Sequence, residues 1–328
     1  MPNELEKLVG PNGSPSGLIV DLGPSESALF SQPQFNVVHV ESLPPSLATA
    51  SIHPASRYTL NDVHQLAQGR RVSLIVARHV VEHAPDLVGW LQSLARTADA
   101  DTLVSLQIPD NRFTFDAYRN PSTLGEVFGA FEAQRTCPSA EQVFDSSLLG
   151  TPVDCRAAWA KRIQPATDTV DWGRLSWARE RALEGLSGKP VNVHCWVFTP
   201  SSFLFILEGL ARLSLLPFKV DYIYPTEVDE YDFVIGLRKA EDPKTILDSI
   251  LAARRTLEKD ARAILHLEAS APLVLKCQTL EQMALARLQR LSVLEAKYQV
   301  LKEELLAAQL EIERLEYRLQ DVGAPVDR

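Results

Sequence analysis

Residues 72–108 read VSLIVARHVVEHAPDLVGWLQSLARTADADTLVSLQI. The run from Val72 to Arg78 is short, apolar and rich in β-branched side chains, as a strand buried on both faces should be. Between Ala84 and Thr97, Leu87, Leu91 and Leu94 recur at helical spacing, with Val88 and Trp90 beside them. A second strand-like run covers Thr102 to Ile108. Strand, helix and strand in that order imply a right-handed parallel crossover.

Two further runs of the same kind lie upstream, Gly17 to Leu22 and Asn36 to Glu41, after a Gly/Pro/Ser-interrupted leader over 1–16. Downstream, Thr199 caps a helix that has Pro200 at its first position and runs to Leu213. Two strands follow, Phe218 to Tyr224 and Tyr231 to Arg238, joined by a Pro- and acid-rich turn. The expected fold is α/β: a Rossmann-like, mostly parallel sheet closed by an antiparallel edge hairpin, filling a domain over 17–240. The stretch from Asp110 to Asn192 shows little periodicity and reads as an insertion of short helices and loops over the strand ends. A helix from Pro243 to about Leu267 lies in a connector spanning 241–277.

From about residue 278 to 322 the pattern changes. Leu291, Tyr298, Leu305, Ile312 and Leu319 stand seven apart, and Leu294, Leu301, Ala308, Leu315 and Val322 follow each by three. That seam predicts a C-terminal coiled-coil helix and hence a homo-oligomer, with 323–328 as a tail.

Of the 328 residues, 33 are Lys or Arg and 42 Asp or Glu, giving a net charge of −9. No basic field is available to hold nucleic acid or an anionic surface. The four cysteines lie without a C-x-x-C pair, no apolar run approaches a membrane span, and the first residues carry no apolar targeting core. A cytoplasmic protein is expected.

Two segments carry candidate chemistry. Val20-Asp21-Leu22-Gly23 is an apolar strand ending in an acid and then glycine, where backbone can come close to a nucleotide-type cofactor. The next strand ends in Glu41, and a carboxylate there can accept ribose hydroxyls. The loop lacks the second glycine of a dinucleotide site, which argues against a nicotinamide oxidoreductase. The second segment, His79-Val80-Val81-Glu82-His83, matches the inverted zinc-protease pattern H-x-x-E-H. That chemistry needs both histidines on one helix face, whereas here a buried strand runs into His79 and Pro85 follows. The segment is therefore expected to be a strand-end loop, and no metal is expected.

These residues resemble a bacterial family of class I methyltransferase-like proteins. The likeness is carried by residues 76–91 (VARHVVEHAPDLVGWL), 105–119 (SLQIPDNRFTFDAYR), 141–145 (EQVFD) and 193–200 (VHCWVFTP). The family reads methyltransferase type 11-like and is often associated with surface-polysaccharide assembly. The resemblance implies S-adenosyl-L-methionine as cofactor and a sugar, glycan or related small acceptor. It places Asp21, Gly23, Glu41, Arg78 and His79 at the cofactor. A histidine is the natural base for the acceptor's proton: His79, His83 and His194 are candidates, with Asp110 and Asp145 able to orient or replace them. Arg112 and Arg119 flank Phe113, Phe115 and Tyr118, a grouping suited to a sugar or phosphate acceptor; Asp145 belongs with it. Only Gly23 to Phe35 separates the first two strands, too little for a full crossover helix. This leaves a second reading open, a methyltransferase-like scaffold without turnover.

Overall fold

The computed structural model describes residues 3–11, 17–22, 36–39, 71–160, 170–187, 189, 191–259, 302, 309 and 314. They form a mixed α/β fold around a six-stranded sheet of order β2-β1-β3-β4-β6-β5. The strands are β1 (Leu18–Asp21), β2 (Asn36–His39), β3 (Val72–Arg78), β4 (Leu103–Pro109), β5 (Phe218–Tyr224) and β6 (Asp232–Lys239). Neighbours from β2 to β4 pair in parallel; β6 runs antiparallel to both β4 and β5. The expected mostly parallel sheet with an antiparallel edge pair is present.

Helices take their place through local signals. Helix α1 (Glu4–Val9), within the first sixteen residues, opens on a reciprocal capping box between Asn3 and Glu6. Helix α2 (Leu87–Thr97) is capped by Asp86, and its buried Leu87, Val88, Leu91 and Leu94 make the crossover. Within 110–192 lie α3 (Leu124–Glu132), α4 (Ala140–Leu149), α5 (Cys155–Trp159) and α6 (Leu175–Leu186). Two of these have capping boxes legible in sequence, Thr123 with Glu126 and Ser139 with Gln142. Helix α7 (Pro200–Arg212) starts from the Thr199 cap with Pro200 in its first turn, and α8 covers 243–259.

Strand residues alternate between two apolar clusters, as the two-residue period requires. Val20, Ile75, Leu106 and Ile235 face a core shared with α2, α7 and α8. Ile19, Leu74, Val76 and Val234 face the other side, where Leu8 of α1 and Tyr222 cover them. Burial on both faces explains why the strands read as continuous apolar runs.

The chain divides into two compact units, 1–259 and 260–328. Most of the second, including the heptad seam, lies outside the described residues; Lys302, Gln309 and Arg314 are helical and exposed. No described helix is long and apolar enough to cross a membrane.

Candidate functional site

Strands β3 and β4 deliver their carboxyl ends to one place, and three loops close over it. The chain leaves β3 through His79, which adopts a left-handed conformation at φ 53°. Such a backbone is uncommon outside glycine and is held only when the surroundings demand it. Here the His79 N–H donates to the Gln107 carbonyl, and Val81–His83 follows as a tight 3-10 turn. Because β6 is reversed, its first residue, Asp232, lands opposite Pro109 at the same sheet edge. Its carboxylate receives Gln107 Nε2 at 3.0 Å and lies 3.2 Å from His79 Nε2. Burial works against the charged form of His79, but Asp232 and Glu82 outweigh it and raise its pKa above the usual value.

Residues 193–198 enter from across the fold. The Glu82 carbonyl accepts the N–H groups of Cys195 and Trp196, and the Phe198 carbonyl accepts that of Asn111. This places His194 against the 79–84 loop. Its Nδ1 lies 2.5 Å from Asp116 Oδ2, and Asp116 Oδ1 accepts Arg119 Nη1 at 2.8 Å. His194 Nε2 is 3.9 Å from Glu82 Oε1, and His79 Nδ1 is 3.8 Å from the same oxygen. A row of alternating charge types results: Arg119, Asp116, His194, Glu82, His79, Asp232. Burial pushes the Glu82 carboxyl up to about 7. For Asp116 the burial penalty is outweighed by His194 and Arg119, which hold its carboxyl below the ordinary range. The ring of His83 donates through Nδ1 to the Val193 carbonyl at 3.0 Å. Burial, reinforced by His194, lowers its pKa to about 4, so it is neutral.

His79 and His194 line an open cavity of about 640 Å³, together with Phe113, Phe115, Cys155 and Tyr231. That volume suits a small molecule. The Phe115 and His194 rings stand 4.7 Å apart, and Phe113 stacks on Trp159 at 4.1 Å.

The remaining sequence candidates distribute unevenly. Arg119 is buried behind His194 as part of the row. Asp110 is fully buried, and its oxygens accept Arg112 and Thr226, so it fastens a loop behind the cavity wall. Arg112 is thereby engaged and lies over the Phe113 ring. Asp145 is exposed on α4 and does not border the cavity. Asp21 and Arg78 meet at the tips of β1 and β3 in an ion pair of 2.9 Å, both buried. Gly23 and Glu41 lie outside the described residues. Asp116, Asp232 and Tyr231 join the site only through the tertiary fold. Glu82, which the sequence offers only within the protease pattern, is 1% exposed at the centre of the row. An Asp three residues before an Arg, as in Asp116 and Arg119, was the one available signal; nothing in the sequence pairs Asp232 with His79.

No protein-family model and no curated protein matches the chain.

Proposed function

We propose that the chain is an S-adenosylmethionine-dependent methyltransferase acting on a hydroxyl of a sugar, glycan or related small acceptor. The observation that carries the reading is the cavity beyond β3 and β4. It holds a histidine fixed by a half-buried carboxylate, directly after the strand-tip residue Arg78. A Rossmann-like sheet places ligands at such an edge.

The donors at the strand tips fit a nucleoside cofactor on one ground: Arg78 Nε is buried and has no hydrogen-bond partner among the described residues. Arg78, with Asp21 beside it, would hold the cofactor, and Gly23 and Glu41 would complete the site. When bound, the cofactor supplies an electrophilic methyl group on a sulfonium. The chain's own work is positioning and proton removal. Asp232 at Nε2 and Glu82, 3.8 Å from Nδ1, hold the His79 ring at the cavity wall, where it would take the acceptor's proton. Phe113, Phe115 and Tyr231 offer aromatic surface for a sugar ring and exclude water from one side of it.

The test is a calorimetric titration of the full-length protein with S-adenosylmethionine, followed by transfer assays on sugar acceptors. Saturable binding that Arg78→Ala removes, and transfer that His79→Ala abolishes, are expected. If the folded protein binds no cofactor, the enzymatic reading falls. A scaffold role then takes its place, which the short Gly23 to Phe35 stretch between the first two strands favours. The heptad segment over 278–322 would make either form a homo-oligomer. Leu301→Lys with Leu315→Lys should convert it to a monomer in light scattering, and an unchanged mass would refute the coil.

A further inference from the structure

Both carboxylate oxygens of Glu82 are buried and have no hydrogen-bond partner among the described residues. Buried polar groups are almost always satisfied, and an unsatisfied carboxylate is among the costliest exceptions. Two histidines stand beside it. One ligand atom from each of Glu82, His83 and His194 lies within 4.8 Å of the others. The rings of His83 and His194 meet edge to face, 4.7 Å apart.

From this cluster we infer that Glu82, His83 and His194 bind one divalent first-row transition-metal ion, zinc being the ion that two imidazoles and a carboxylate suit best. The inference goes beyond methyl transfer and stands without it.

The outer contacts argue for the same role. A ligating histidine needs its second ring nitrogen tied to a carbonyl or carboxylate, which fixes the tautomer and orients the ring. His83 Nδ1 donates to the Val193 carbonyl, and His194 Nδ1 donates to Asp116, itself held by Arg119. In both rings Nε2 is left with its lone pair. Tetrahedral ligands about 2.1 Å from zinc stand about 3.4 Å apart. Closing the cluster therefore needs movements of about an ångström, within reach of side-chain torsions.

The site is not that of a helical zinc protease. His79 sits in a left-handed turn and Val81–His83 forms a 3-10 turn, so His79 and His83 share no helix face. The second imidazole comes instead from His194, brought in by the Cys195 and Trp196 hydrogen bonds to the Glu82 carbonyl. Three protein ligands leave a position open, as in sites that act on a bound oxygen rather than structural ones. His194 also lines the cavity, so the cluster stands directly behind its wall.

The experiment strips the full-length protein with a chelator and titrates it with Zn²⁺ by calorimetry and with Co²⁺ by visible absorption. One ion per chain is expected, with a cobalt spectrum of a nitrogen/oxygen site that lacks a thiolate charge-transfer band. Glu82→Gln, His83→Ala and His194→Ala should each weaken binding at least about tenfold. Glu82→Gln is nearly isosteric and removes a buried charge, so it retains the fold, which circular dichroism verifies. No saturable binding by the folded, stripped parent would overturn the site. So would a thiolate band, or binding equal to the parent in all three variants. The cofactor titration is separate: its failure leaves zinc binding untouched, and failure of zinc binding leaves the cofactor result as it stands.

Discussion

The N–H of Cys195 donates to the main-chain oxygen of Glu82 over 2.7 Å, joining two segments more than a hundred residues apart. Trp196 adds its own N–H to that oxygen, and its indole donates to the Ala84 carbonyl. The site therefore depends on a backbone clasp as much as on its side chains.

Trp196 is the residue through which the clasp can be weakened. Its ring is almost fully buried. Trp196→Phe leaves the Ala84 carbonyl short of a donor and opens space beside it, a loss of about 2 kcal/mol. In a unit of this size that lowers Tm by about 5 °C or less. Thermal melting of the purified variant checks this; an unchanged Tm would show the clasp to be dispensable.

Gly236 exists to make room for Tyr222. A Cβ on Gly236 would fall 2.1 Å from the Tyr222 ring. That ring is fixed at its far end, where its hydroxyl donates to the Leu8 carbonyl and lies 3.1 Å from Ser105. Gly236→Ala should cost about 2–3 kcal/mol by overpacking. In a Tyr222→Ala background the same change should cost far less, and chemical denaturation of the four proteins measures the coupling.

Glu208 links α7 to α8 by pairing with Arg212 and Arg254. The Arg212 hydrogen bond, then that of Arg254, holds its carboxyl below the ordinary range. A depressed folded-state pKa contributes stability above the unfolded value, and that contribution disappears as pH falls through the folded value. Glu208→Gln should thus be less stable than the parent by about 0.5–1 kcal/mol near neutrality. The gap should shrink below about pH 4.5. Denaturation midpoints of both proteins between pH 3 and 7, in about the range where carboxylates titrate, read it directly.

Thiol reactivity should rank by burial. Cys137 is exposed, whereas burial pushes the Cys195 thiol up to about 12. Only the thiolate reacts with an alkylating agent. A short iodoacetamide pulse on the native protein should modify Cys137 and spare Cys195, with peptide mass spectrometry as the readout. Equal labelling would mean that the 193–198 segment opens readily.

Much of the fold was legible because its signals are local. The β3–α2–β4 unit, the Thr199 cap with Pro200, and the hairpin strands β5 and β6 each announce themselves through periodicity or capping within a dozen residues. The helices between 110 and 192 were less visible. The 3.6-residue pattern is interrupted there, yet the Thr123 and Ser139 capping boxes would have marked two of their starts.

By itself the sequence determined a mostly parallel α/β sheet, the histidine-bearing loop after β3, and a chemistry-rich segment around His194. Tertiary structure alone decided that Asp232 steadies His79, that Asp116 and Arg119 stand behind His194, and that Glu82 lies among imidazoles without a hydrogen bond from any described residue. Helical and strand periods are written in neighbouring residues, whereas these pairings arise where a reversed strand and two distant loops converge. No spacing along the chain encodes that meeting.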